Sequence, residues 1–264
     1  MLAQLTEEKR DLIKPLFQKK QPNNSALWCY FDGKMTGKTF VDDITSPTKA
    51  ICRLDMSWTY FSVDADLPWI EDVLGEVIKK DWLQVIWGPE RRGTYPLKEF
   101  SQIIPRFEFI ERKEVLEKPC DVEITPFTSE LVDKLPENYR AWHLQNYGSK
   151  EAFLEKAFGF YAVENGAVCC ESEAAFTAHG FTEIGIYTFE PYRRRGIAFA
   201  TCLKTLEELE KKGLKAIWAC DEENAESIRL AKRLGFANPV EYDFLYFPTR
   251  NKLNVDAQGY GATP

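Results

Sequence analysis

The stretch EPYRRRGIAFATCL (residues 190–203) decides the reading of this chain. Arg193, Arg194 and Arg195 stand directly before Gly196 and an apolar run with helical spacing. A helix start already carries partial positive charge from its unpaired N–H groups, so three cations there repel unless an anion sits among them. With an anion in place, the amides, the helix dipole and the arginines act together, and a phosphate or pyrophosphate is the natural guest. Gly196 lets the backbone come close to such a group because no Cβ intervenes, and Ala198 is small at the next exposed position. The plain alternative is a solvated surface turn in which Gly196 only permits the bend.

Working outward, EIGIYTF supplies a strand before the turn, and residues 196–212 form a helix stopped by Gly213. LKAIWAC (214–220) reads as a strand, 224–234 as a helix capped by Asn224 and closed by Gly235, and PVEYDFLYF (239–247) as a last strand. Upstream, GFYAVENGAVCCESEAAF (159–176) is a hairpin about Asn165-Gly166, a dipeptide that favours a type I′ turn. DVEITPF is a strand, and 129–135 and 149–158 are short helices, the second capped by Ser149.

A boundary is expected near 118–120. On its N-terminal side, 6–19 reads as a helix with Thr6 as cap, and ALWCYFDG (26–33) as a strand entering an Asp32-Gly33 turn. KAICRLD, WTYFSVD, WLQVIWG and PRFEFIERKEV read as strands, and 67–80 as an amphipathic helix. The expectation is an α/β (α+β) protein with an N-terminal α/β domain over 1–117, a second domain over 118–250 and a loose tail over 251–264.

The composition sets bounds. The 264 residues are 44% hydrophobic, enough for a buried core. The net charge of −7 argues against a nucleic-acid partner, which needs a basic face. No apolar run approaches membrane-spanning length, and MLAQLTEEKRDLIK is not a signal peptide, so a cytoplasmic protein without a membrane partner is expected. The seven cysteines are odd in number and form no C-x-x-C pair, which fits reduced thiols. His143 and His179 are the only histidines, so a His-rich metal site is excluded, a mixed one lacks ligand spacing, and no metal is expected. GKMTGKT (33–39) has three residues between its glycines where a phosphate-binding Walker loop needs four.

Arg193-x-x-Gly196-x-Ala198 resembles the Arg/Gln-x-x-Gly-x-Gly/Ala signature of the GNAT superfamily of N-acetyltransferases. NAESIRLAKRLGF (224–236) is similar to that family's second coenzyme-side helix, and the order of elements over about 120–247 follows its plan. Within the superfamily, EIGIYTFEPYRRRGIA most resembles the group that includes zwittermicin A resistance acetyltransferases. The resemblance implies a GNAT-like mixed sheet flanked by helices, and transfer of an acetyl group from acetyl-CoA to a primary amine of a small molecule. The N-terminal unit would be a degenerate second copy, with the acceptor in a cleft between the halves, in a monomer or homodimer.

Roles follow residue by residue from the resemblance. Backbone amides of Arg194, Arg195, Gly196, Ile197 and Ala198 would hold the pyrophosphate, with Arg193 to Arg195 adding charge. The strand edge from Ile186 to Thr188 would pair with the pantetheine arm. Asn224 and, less directly, Ser227 would reach the pantetheine or thioester, although Asn224 also reads as a plain helix cap. Glu183 stands where many family members place an acidic base, or is a solvated strand-end carboxylate. A backbone N–H near Thr188 would stabilise the tetrahedral intermediate. The family's usual proton donor, a Tyr, falls at Ala231, which leaves Tyr187, Tyr242 or water for that step. Ala231 also keeps open a coenzyme-A-binding module without catalysis. An aminoacyl-transferring enzyme would need a basic tRNA-facing surface, against which the acidic composition counts.

Overall fold

A computed structural model describes residues 2–17, 21–77, 82–96 and 102–247. The expected tail at 251–264 lies outside the described residues. The chain divides into two compact units, one of residues up to 108 with 220–223 and 239–247, the other of 109–219 with 224–238.

The first unit is built on β1 (Ala3–Leu5), β2 (Gly37–Val41), β3 (Ala50–Leu54), β4 (Trp58–Phe61), β5 (Leu83–Trp87), β6 (Gln102–Phe109) and β14 (Val240–Phe247). Their order is β1-β2-β3-β4-β5-β14-β6. The last strand, expected with the C-terminal unit, thus pairs with β5 (Phe244↔Ile86) and with β6 (Phe244↔Ile104). α2 (Leu67–Val77) buries Ile70, Val73, Leu74 and Val77, the i, i+3, i+4, i+7 stripe of a core-facing helix. Phe61, Val85, Trp87, Leu245 and Phe247 complete that core.

Two N-terminal expectations are corrected. ALWCYFDG is not a strand: α1 (Asn24–Phe31) covers it and buries every residue from Ser25 to Phe31. A segment apolar on all sides shows neither alternation nor a helical stripe, so periodicity cannot separate the two states. Of the helix expected over 6–19, the described residues up to 17 form two short 3₁₀ turns, Glu7–Leu12 and Lys14–Leu16, and Thr6 makes no side-chain cap. Pro15 lacks the N–H that a continuous helix would need.

The first unit also holds a buried polar network. Asn23, at φ +53, donates its backbone N–H to Glu108 Oε2 at 2.6 Å, and its carbonyl accepts from the Tyr60 hydroxyl at 2.7 Å. The Tyr242 hydroxyl donates to Asn23 Oδ1 and accepts from Arg106 Nε at 2.9 Å. Tyr242 is therefore fully buried in this network.

The second unit has the strand order β12 (Lys215–Asp221), β11 (Phe181–Thr188), β10 (Ala167–Ala178), β9 (Phe158–Glu164), β8 (Glu123–Pro126), antiparallel except for the β11–β12 pair. β7 (Glu111–Arg112) and β13 (Phe236–Ala237) form a separate two-stranded ladder. The β9–β10 turn has Asn165 at φ +51 and Gly166 at φ +78, the two left-handed positions a type I′ turn demands. α3 (Ser129–Asp133), α4 (Glu137–Tyr147) and α5 (Lys150–Lys156) cover the face that carries Tyr161, Val163 and Val168. α6 (Ile197–Lys211) covers the opposite face, where Ile197 packs on Ala162, Cys169 and Cys170, and Thr205 bonds Ser172 at 2.9 Å. α7 (Ala225–Arg233) follows β12. All seven cysteines are free thiols.

Candidate functional site

The turn between β11 and α6 is where the three arginines lie. A short 3₁₀ turn, Glu190–Tyr192, with Pro191 in its first turn, leads out of β11. Arg193 is extended (φ −67°, ψ 159°), Arg194 is left-handed at φ +59, and Gly196 is left-handed at φ +81. The Arg193 amide is used, donating to the Glu190 carbonyl at 3.2 Å. Among the described residues, none of the next five amides, Arg194 to Ala198, donates to any acceptor. Consecutive open N–H groups at the start of the 15-residue α6 are an arrangement that can receive an anion. Gly196 sits close to Cys120, 3.8 Å from where a Cβ would stand.

The arginines are not equivalent. Arg195 pairs with Glu164 at 3.0 Å and through that hydrogen bond holds the Glu164 carboxyl below its ordinary value. Arg193 donates Nε to the Thr188 carbonyl at 2.9 Å and lies 5.8 Å above the Tyr187 ring. Arg194 is exposed and makes no ion pair among the described residues.

A second feature adjoins this turn. β11 and β12 share three rungs, Phe181↔Lys215, Thr182↔Ala216 and Glu183↔Ile217. Both strands continue, but among the described residues no further rung joins them. The edge of β11 from Ile184 to Thr188 is thus open to an extended, amide-bearing ligand. Ile186 and Thr188 are half-buried there, with the Thr188 hydroxyl donating to Cys170 Sγ at 3.1 Å. Asn224 does cap α7, accepting from the Ser227 amide at 3.0 Å, and Ser227 Oγ accepts from Trp218 Nε1 at 3.0 Å.

The third feature escaped the reading of the sequence. His143 Nε2 lies 3.0 Å from Glu171 Oε2, and the Tyr139 hydroxyl donates to Glu171 Oε1 at 3.1 Å. The Tyr147 hydroxyl donates to Glu173 Oε1. One ring nitrogen of His143 and one carboxylate oxygen each of Glu171 and Glu173 fall within 4.8 Å of one another. Chain spacing offered no such gathering, because it arises from α4 packing on β10. One cue was available: glutamates at alternate positions in the apolar run CCESEAAF face the same side of a buried strand.

Burial dominates the chemistry of this cluster. It raises the Glu173 carboxyl to about 7, with the charge of Glu171 adding to the effect. For His143, burial opposes the charged ring, but the hydrogen bond and charge of Glu171 outweigh it and the net direction is upward. Burial, then Glu171, pushes the Tyr139 hydroxyl well above its ordinary range.

Glu183 and Tyr187 belong to this same face of the sheet. Antiparallel partners share a face, and the rungs run Glu171↔Tyr187, Glu173↔Gly185 and Ala175↔Glu183. Both side chains are half-buried, and the Tyr187 ring stacks on Tyr139 at 4.9 Å with 21° between planes. Tyr139, Tyr187, Phe189 and Tyr192 line a groove of about 460 Å³. The structure thus brings Glu183 and Tyr187 together on one face, while Tyr242 belongs to the buried network of the first unit.

Comparison with known proteins bears on this arrangement. A family model described as GNAT acetyltransferase matches residues 14–245. An uncharacterized N-acetyltransferase of Bacillus subtilis (strain 168), YdfB, is 28% identical over 258 residues, covering 93% of this chain and 98% of that protein. Among solved structures, a GCN5-related N-acetyltransferase-like protein of Streptococcus suis superposes with a TM-score of 0.62 at 19% identity, over 90% of this chain and 98% of that one. A tandem GNAT protein from the clavulanic acid biosynthesis pathway gives 0.57 at 11% identity, over 93% and 98%.

Proposed function

The chain belongs to the GNAT acetyltransferase family, a family that uses acetyl-CoA, and from that membership we propose an N-acetyltransferase acting on a primary amine of a small molecule. The observation that carries this reading is the run of five open amides, Arg194 to Ala198, at the mouth of the β11–β12 gap. The amides receive the diphosphate of acetyl-CoA, with Arg193 and Arg194 adding charge beside the Glu164-bound Arg195. The pantetheine arm lies along Ile184 to Thr188 as an added strand. Asn224 orders the start of α7 at the other wall of the gap, and Ser227 braces Trp218.

Chemistry then falls on the face of the sheet that carries Glu171, Glu173, Glu183 and Tyr187. The amine attacks the thioester carbon, a C–N bond forms and the C–S bond breaks. A carboxylate of this face, Glu183 or Glu173, takes a proton from the amine. Tyr187, whose hydroxyl bonds nothing among the described residues, is the candidate donor to the departing thiolate, in place of the tyrosine that Ala231 lacks. A backbone N–H near Thr188 meets the charge on the thioester oxygen. The loop sequence supports kinship with the zwittermicin A resistance group. The tandem GNAT neighbour supports reading the N-terminal unit as a GNAT-like half without the amide run.

Calorimetry of the full chain with coenzyme A and with pantetheine, followed by thiol release from acetyl-CoA over a panel of amines, tests the proposal. The expected result is binding of coenzyme A, weak or no binding of pantetheine, and release with at least one amine. Ala231 favours one other reading, a coenzyme-binding module without turnover; tight binding with no release for any amine would support it.

A further inference from the structure

We propose that Glu173 is the group that accepts the proton of the acceptor amine, at a spot above Gly185; the inference rests on the acetyl-transfer reading above. Four carboxylate oxygens meet in the cluster, and three are occupied. Glu171 Oε1 accepts from Tyr139, Glu171 Oε2 faces His143, and Glu173 Oε1 accepts from Tyr147. Glu173 Oε2 has no hydrogen-bond partner among the described residues. A buried carboxylate with one open oxygen is poised to meet a donor from outside the protein.

The surroundings leave room for that donor. Directly across the ladder from Glu173 stands Gly185, which is exposed. A Cβ placed there would meet nothing nearer than the Glu173 carbonyl oxygen at 3.8 Å, so there is open space immediately above Gly185. The next rung pairs another small residue, Ala175, with Glu183. Glu173 and Glu183 are thus diagonal neighbours on one face, flanked by two small residues. Gly185 lies two residues past Glu183, the last rung before β11 and β12 part. An amine over Gly185 is therefore beside the point where the thioester end of the pantetheine arm enters.

The protonation chemistry matches the task. Burial raises this carboxyl to about 7, and a carboxyl that exchanges its proton near neutrality suits a general base. The groups facing it are Tyr139, His143 and Tyr147 of α4 and Tyr161 of β9. Glu171 lies on its own strand, and Glu183 and Tyr187 on β11. Glu171 raises its proton affinity, while His143 and the Tyr147 hydroxyl lower it. In the reaction the ammonium loses two protons as the C–N bond forms and the C–S bond breaks. One passes to Glu173 and then to water, and the other replaces the proton that Tyr187 gives to the thiolate.

The test is the pH dependence of kcat/KM for the full chain, Glu173→Gln and Glu183→Gln. An acceptor amine with a pKa of about 10 keeps its own ionisation apart. The parent should show an ascending limb near neutrality. Glu173→Gln should lose that limb and about 100-fold or more of its kcat/KM, while binding coenzyme A normally by calorimetry. Glu183→Gln should keep the limb. Two variants retain the carboxylate and guard against a folding defect: His143→Asn and Tyr147→Phe should each move the limb to higher pH. A limb that survives in Glu173→Gln and vanishes in Glu183→Gln overturns the assignment, as do unmoved limbs in His143→Asn and Tyr147→Phe. Failure of the parent to bind coenzyme A overturns the acetyl-transfer reading itself, and the assignment with it.

Discussion

Glu171→Gln is the perturbation whose effect can be worked most fully. Gln keeps an oxygen for the Tyr139 hydroxyl, so the variant removes a charge more than a contact. One carboxylate oxygen of Glu171 and one of Glu173 lie within 4.8 Å of each other. Two like charges that close repel by about 3.5 kcal/mol at an effective dielectric of about 20. His143 offsets part of this, because its ring gains charge from the same Glu171 and loses it in the variant. The Glu173 carboxyl rises from 4.5 to about 7, and burial is the larger cause, with Glu171 second. The bare repulsion, equivalent to about 2.6 pH units, is therefore an upper bound on the share of Glu171. The variant should move the ascending limb of kcat/KM to lower pH, by less than that bound, with coenzyme affinity unchanged. Initial rates of thiol release across buffers of constant ionic strength would read it. A limb that stays in place, or moves upward, would refute the electrostatic account of this cluster.

Other outcomes follow from particular contacts. Because Glu173 holds its proton more tightly folded than unfolded, folding takes up a proton between pH 4.5 and about 7, and stability falls as pH rises through that window. Glu173→Gln should therefore raise the thermal midpoint at pH 8 and give no gain at pH 4; a gain of equal size at both would contradict the assignment. Gly235→Ala should destabilise the second unit by about 3 kcal/mol, since its Cβ would stand 2.1 Å from the Lys113 carbonyl oxygen at φ +90, as chemical denaturation would show. Tyr187→Phe should slow turnover by about tenfold with little change in the KM for acetyl-CoA, and an unchanged kcat would return the proton-donor role to water.

Local chemistry made part of this molecule legible in its sequence. Arg193 to Ala198 and Asn165-Gly166 are short motifs whose backbone requirements are written in adjacent residues: Gly196, Asn165 and Gly166 all stand at left-handed positions that suit them, although Arg194 is left-handed too, which its residue type does not announce. Asn224 caps α7 as its spacing before the helix implied. α1 was misread because a wholly buried segment has no polar face to set its period. α4 went unseen for the opposite reason: its sequence, ENYRAWHLQNY, has few aliphatic positions, and Tyr139 and His143 are buried because they bond Glu171. The acidic cluster needs the register of β10 against β9 and β11 and the seating of α4, none of which adjacent residues encode. The strand at 240–247 was recognised as a strand, but its partners β5 and β6 lie more than a hundred residues away in the chain.

The measurement that bears most directly on the central claim is the backbone amide spectrum of the full chain during titration with coenzyme A. Saturable shifts at the amides of Arg194, Arg195, Gly196, Ile197 and Ala198, absent when pantetheine replaces the coenzyme, are the predicted result. Coenzyme binding that leaves those five amides unmoved while perturbing others would contradict it.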